Sequence, residues 1–281
     1  MMLINHLTAA RVKALAKKGK GGGLTLLELP KFTRQQLGLH GLSITTDVLK
    51  GQSREQLAAL RDRADKAGCA CLLLVEQEAQ RFGDDADEVG FAAIERTQRI
   101  IDAASVLGCN AAALPVAAGT DEMSIDLTIE RLRHVVEHAE RKEMNLLLVP
   151  HAGLTSDPDR VTDLIKKVGG FRLGTFPDFE VASKQDDPVS YIKRLTPYAS
   201  AVCAATLGFV AKEDEDDLVD LDPPEHEGYA LEPLVAAVLA VGFDGTLAVD
   251  YRGVGDGTLG TMRSVAALEA ALDSALPGGP E

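Results

Sequence analysis

The sequence is poor in aromatic side chains, which make up 4% of its 281 residues and include no Trp. That is too little ring surface to argue for a platform on which nucleic-acid bases stack. Positive charge is in deficit as well. A formal net charge of −14 repels phosphate backbones, so no nucleic-acid partner is expected. No apolar run approaches the roughly 18 residues that a membrane-spanning helix needs, which argues against a membrane protein. Cysteine is scarce: Cys69, Cys71, Cys109 and Cys203 are irregularly spaced and sit in apolar stretches. They read as reduced, buried thiols, consistent with a cytoplasmic protein. The basic opening Arg11 to Lys20 has no acids, as transit peptides do, but serves equally as a first strand–helix element.

What is present is alternation. Short apolar runs that read as strands fall at 2–5, 42–45, 69–75, 109–116, 146–149, 171–176, 199–206 and 246–251. Helical patterns separate them at 53–66, 88–107, 125–144, 158–168, 187–195, 231–241 and 261–276, several stopped by a glycine. Thr25 and Glu28 have the spacing of a capping box before an amphipathic run ending at Gly38. Eight strands alternating with helices predict one (β/α)8 barrel domain over residues 1–281, with an open doubly wound sheet as the alternative. The acidic tract at about 212–228 reads as an insertion after the seventh strand.

Residues 145–179, NLLLVPHAGLTSDPDRVTDLIKKVGGFRLGTFPDF, form the most informative stretch: strand, loop, capped helix, strand and Asp-bearing loop. In such units the loops after the strands carry the chemistry, which marks Val149, His151 and Asp178 as rim positions. GLTSDPDRVTDLIKKVG followed by GTFPDF resembles the xylose-isomerase-like sugar phosphate isomerase/epimerase family, whose members carry E-N-H-G-G-L-(S/T)-S-D-P and G-T-L-P-D-F-G-N at these places. LGLHGLSITT, IIDAASVLGC and VGFDGTLAVDYRG extend the resemblance over roughly Leu39 to Leu276.

The resemblance implies a TIM barrel and a divalent metal held by Glu, Asp, His and Glu, with the two glutamates exchanging protons with the substrate. Carried over position by position, those ligands become Val149, Asp178, Cys203 and Asp250. The Asn beside the first Glu becomes Pro150, and the Lys two residues past the His becomes Ala205. An Arg and Asn of the fourth strand fall at Ala113 and Pro115, and the second Glu of the closing motif is Arg252. Val149 offers no ligand to a hard cation, so the implied metal site is expected to be broken. A rebuilt zinc, manganese or magnesium site from Asp178 and Asp250, joined by His151 and Cys203, is the alternative.

Asp250, Asp178 and His151 are the candidate catalytic groups. Glu76, Arg252 and the glycines Gly253, Gly255 and Gly257 are the candidate substrate contacts, the last three in a turn that suits phosphate ahead of a helix N-terminus. Glu76 and Glu78 read more simply as exposed loop carboxylates, Cys69 and Cys71 as core, and His134 with His138 as solvated surface. The Lys17–Gly23 tract lacks the Gly-Lys-Ser/Thr order of a phosphate loop and reads as a mobile connection. Two functions remain open. One is an isomerase or epimerase acting on a small sugar or polyol; the other is a non-catalytic relative that binds a ligand or protein. A homo-oligomer is compatible with either.

Overall fold

Strands that are apolar on both faces have no side to offer to water, so they must lie inside a sheet covered on both faces. The computed structural model describes residues 1–15, 24–210 and 223–275. Its strands β1 (Met2–Leu7), β2 (Gly41–Thr45), β3 (Ala70–Val75), β4 (Ala111–Pro115), β5 (Asn145–Val149), β6 (Leu173–Thr175) and β7 (Ala201–Thr206) are followed by a small hairpin, β8 (Gly208–Phe209) with β9 (His226–Glu227), and then by β10 (Thr246–Tyr251). The main sheet runs β6-β5-β4-β3-β2-β1-β10-β7, every pair parallel. Parallel bridges from Thr175 to Ala199 and from Asp178 to Cys203 join β6 to β7. The Cys203 N–H donates to the Pro177 carbonyl at 2.8 Å across the same seam. The sheet therefore closes, and the fold is a (β/α)8 barrel rather than an open doubly wound sheet.

Helices α1 (Ala9–Leu15), α2 (Leu29–Gln36), α3 (Arg54–Ala67), α4 (Asp87–Leu107), α5 (Glu122–Arg141), α6 (Pro158–Val168), α7 (Phe179–Ser183), α8 (Pro188–Leu195), α9 (Glu232–Ala240) and α10 (Gly257–Ala275) surround it. None of the described helices is long and apolar enough to cross a membrane. Local signals set the boundaries. Ser53 and Gln56 form a capping box on α3, and Gly68 and Gly108 take positive φ after α3 and α4, where a side chain would be strained.

Inside the barrel, large side chains on β1, β3 and β5 (Ile4, Leu73, Leu147) interleave with alanines on β4, β7 and β10 (Ala113, Ala201, Ala248). That alternation of large and small side chains fills the interior, and Leu147→Ala would cost about 2–5 kcal/mol. Gly174 on β6 is required by close approach, because a Cβ there would run into the Tyr198 carbonyl.

Most strand and helix ends lie within two residues of the sequence reading, and three of the differences bear on the site. β1 continues past Asn5 to Leu7, which brings His6 into the strand. A short helix, α7, starts directly at Asp178, whose Oδ1 accepts the Val181 N–H at 3.1 Å. α10 begins at Gly257, not Thr261, because Asp256 Oδ1 accepts the Thr258 N–H at 2.9 Å and turns the chain into helix early. α5 stops at Arg141, where the chain turns through Glu143 at φ 54°. Of the acidic tract, residues 212–222 lie outside the described residues, as does the whole Lys17–Gly23 tract. The tract's end, His226–Glu227, pairs back antiparallel onto Gly208–Phe209.

Candidate functional site

A parallel barrel aims the side chains of its strand C-termini into one mouth. Here that mouth is a cavity of about 690 Å³. His6, Val149, His151, Asp178, Cys203, Asp250 and Arg252 all line it, so the structure brings together most of the residues singled out in the sequence. Register explains the convergence: Ala248 pairs with Ile4 on one side and Cys203 on the other, and all three point inward. Asp250 and His6 lie two residues further along the same inward rows.

The centre of the mouth is an ion cluster around Arg252. Its Nε donates to Asp250 Oδ2 at 2.8 Å, and its Nη2 to Asp178 Oδ2 at 2.6 Å. Its Nη1 donates to Glu180 Oε2 at 2.6 Å and to Asp178 Oδ1 at 3.3 Å, while Nη2 also reaches Cys203 Sγ at 3.4 Å. A guanidinium has five N–H groups, and each has an acceptor here. Desolvation opposes the charge on Arg252, but the carboxylates of Asp178 and Asp250 outweigh it, and the pKa is raised. Hydrogen bonds from Lys184 and then Arg252 hold the Glu180 carboxyl below its usual range. The Cys203 thiol is pushed far up by burial and by Asp178, so it remains protonated.

The opposite wall is different. His6 Nδ1 lies 2.8 Å from Ser43 Oγ, and its Nε2 has no hydrogen-bond partner among the described residues. Burial, with Arg252 adding, lowers the His6 pKa against the pull of Asp250, Asp178 and Asp47, which leaves a neutral imidazole. Arg11 on α1 donates through Nη2 to the Tyr251 carbonyl and lies 4.7 Å from the Tyr251 ring centroid. Its Nε and Nη1 carry no hydrogen bond among the described residues, and the side chain lines the cavity. Sequence reading missed both His6 and Arg11. The two-residue spacing from Ile4 to His6 was the available signal, but it is silent if the strand is ended at Asn5.

Several expectations change at this point. Glu76 lines the mouth but is not an exposed loop carboxylate: it is 3% exposed, and its Oε2 takes Arg96 Nε at 2.9 Å. Its Oε1 accepts from Thr46 Oγ1 at 2.9 Å and from the Gln77 N–H at 2.9 Å. Those bonds make it an anchor for the loop. Gly253 and Gly255 line the cavity, but Gly257 packs against Arg11 and Ala14 at the start of α10. The N–H groups a phosphate would need there are taken by the Asp256 carboxylate. Nor is Arg252 free to receive an anion. His138 is tied to Asp102 at 3.0 Å across to α4 rather than solvated. Burial holds Cys69 and Cys71 at about 12, in keeping with core thiols.

The sequence profile of the xylose isomerase-like TIM barrel family matches residues 34–271, most of the chain. The chain belongs to that family. Comparison of the sequence with curated proteins finds no match. Among solved structures, this xylose isomerase-like barrel is similar to an L-ribulose 3-epimerase at a TM-score of 0.76 and 13% identity, covering 98% of this chain and 95% of that one. It is similar to YcjR of E. coli, a 3-keto-D-glucoside 4-epimerase, at a TM-score of 0.73 and 14% identity, covering 96% and 99%. A Mycobacterium smegmatis barrel of the family in complex with magnesium gives a TM-score of 0.67 at 16% identity, covering 98% of each chain. At such identities the likeness is one of fold.

The residues present in this barrel do not fit a divalent ion at the positions the family resemblance indicates. Val149 has no donor atom, and Cys203 Sγ is engaged by Arg252 Nη2 at 3.4 Å and Asp250 Oδ2 at 3.9 Å. Asp178 and Asp250 are already bridged by Arg252. Among the described residues, no group of three or more His, Cys, Asp or Glu is disposed to hold a metal ion.

Proposed function

We propose that this barrel binds a small, unphosphorylated sugar or polyol in its C-terminal mouth, and that it does not carry out the metal-dependent isomerisation or epimerisation associated with its relatives. The ion cluster carries this reading. Arg252 lies between the two carboxylates that the resemblance would give to the metal, and it satisfies both. A cation that can be displaced only by breaking five hydrogen bonds leaves Asp178 and Asp250 little affinity for a second one.

The ligand class follows from what remains unsatisfied. His6 Nε2, the Arg11 N–H groups and Asp250 Oδ1 offer mixed donors and acceptors, which suits hydroxyl groups. Asp178, Asp250 and Glu180 surround the centre, and Asp256 fills the α10 N-terminus, so a phosphate finds repulsion at both places. The test is titration calorimetry with a panel of aldoses, ketoses, polyols and their phosphates, in the presence of EDTA. Binding of an unphosphorylated member, unaffected by chelator, is expected. Binding that requires added magnesium or manganese, or that is confined to the phosphates, would overturn the proposal.

A further inference from the structure

We propose that His6 is the proton-handling group of this mouth, and that it catalyses the opening and closing of a sugar hemiacetal, interconverting the anomers of an unphosphorylated sugar. The inference rests on the sugar-binding reading and goes beyond it.

Position comes first. The Cα pairing of Asn5 with Val249 puts His6 and Asp250 next to each other on adjacent strands, one residue further toward the mouth. Both side chains line the cavity. Each is fixed on one side and open on the other. His6 is held at Nδ1 by Ser43 Oγ at 2.8 Å, with Nε2 unpartnered among the described residues. Asp250 is held at Oδ2 by Arg252 and Cys203, with Oδ1 unpartnered in the same sense. Ser43, itself fully buried, is a positioning residue: in this proposal its Oγ takes the acceptor role toward Nδ1–H at 2.8 Å, which leaves the Nε2 lone pair for the sugar.

The choice of reaction follows from what the mouth cannot stabilise. Taking a proton from carbon beside a carbonyl builds charge on the carbonyl oxygen, and the family's metal exists to absorb it. Arg252, which occupies the place the resemblance gives to that metal between Asp178 and Asp250, has no N–H left to do so. Hemiacetal opening moves a proton only between oxygens and forms no carbanion, so a single well-placed base suffices. The anomeric O1–H proton passes to His6 Nε2 while C1=O1 forms and the C1–O5 bond breaks. The imidazolium, facing the Asp250 carboxylate, then gives that proton to the O5 alkoxide. O1 and O5 share C1, so one nitrogen reaches both. Reclosure on the other carbonyl face yields the other anomer with no net change in atoms or charge.

The experiment follows the mutarotation of freshly dissolved α-D-glucose and α-D-xylose by polarimetry in EDTA, alongside calorimetric binding of the same sugars. The intact protein should accelerate mutarotation, and His6→Gln should lose about 10²-fold or more of that acceleration while still binding sugar. Asp250→Asn, a second variant should His6→Gln fail to fold, should slow the reaction too. Ser43→Ala should lower the rate and shift the His6 ¹⁵N resonances away from the Nδ1–H form, and Ser43→Thr should restore both. Sugar that binds without any acceleration, or acceleration that survives in His6→Gln, would overturn this inference and leave the binding reading standing. No binding of any sugar would overturn both.

Discussion

The two walls of the mouth use the same kinds of residue to opposite effect. On the wall built by β6, β7 and β10, Asp178, Glu180, Cys203 and Asp250 are gathered onto one guanidinium whose donors are all engaged. On the wall built by β1, β2 and α1, His6 and Arg11 line the cavity, and each has polar groups without a partner among the described residues. One wall is electrostatically closed and structural; the other is open and available to a ligand. A polar residue in a mouth therefore says little until its partners are counted. Arg252 and Glu76, both natural candidates for substrate contact, are saturated, whereas His6 is not.

The comparison can be broken most forcefully at Arg252. Arg252→Met strands three carboxylates around an apolar side chain and should lower stability by about 2–3 kcal/mol, below the usual range for a fully buried pair because the side chain is 31% exposed. Thermal or urea unfolding reads it out. Arg11→Met, on the open wall, should instead weaken sugar binding by about tenfold, or ~1.4 kcal/mol, with a smaller loss of stability than Arg252→Met causes. If the two variants exchange these signatures, the division between walls is wrong.

A third prediction concerns pH. His6 and His226 both have pKa values lowered from 6.5 by burial, opposed for His6 by Asp250 and for His226 by its bond to the Tyr229 carbonyl and by Glu227 and Glu232. The unfolded chain then binds more protons than the folded one just below pH 6.5. Stability should be full above about 6.5 and fall as pH is lowered from there toward the depressed folded values. His6→Gln should flatten part of that slope, and an unchanged slope would place His6 in a wetter setting. The smallest effect is expected for Glu180→Gln, which removes the charge from one partly buried arm of the cluster and should cost about 1 kcal/mol or less.

The barrel was legible in the sequence because its evidence is periodic and local: apolar runs, Ser53 and Asp187 caps, and glycines such as Gly68 and Gly108 that end helices. The substituted positions in the mouth were legible too, since Val149 stands out beside the GLTSDP frame and Arg252 within VDYRG. What could not be read was the partnership. Arg252 meets Asp178 and Glu180 across more than 70 residues of sequence, and no spacing rule connects them. Glu76 looked exposed because its shield, Arg96, comes from the next helix. His6 was lost to a boundary error of two residues at the end of β1, and α7 because five residues are too few to show a helical period.

The account turns on Arg252 standing in for a divalent ion. Replacing Val149 with Glu, Cys203 with His and Asp250 with Glu would restore the ligand types of the family while leaving that guanidinium in place; adding Arg252→Glu would remove it. The decisive measurement is the manganese and zinc content of the unaltered protein, the triple variant and the quadruple variant after equilibration with each metal. The account predicts no stoichiometric metal in the first two and one ion per chain in the fourfold substitution. One tightly held ion per chain in the unaltered protein would contradict it.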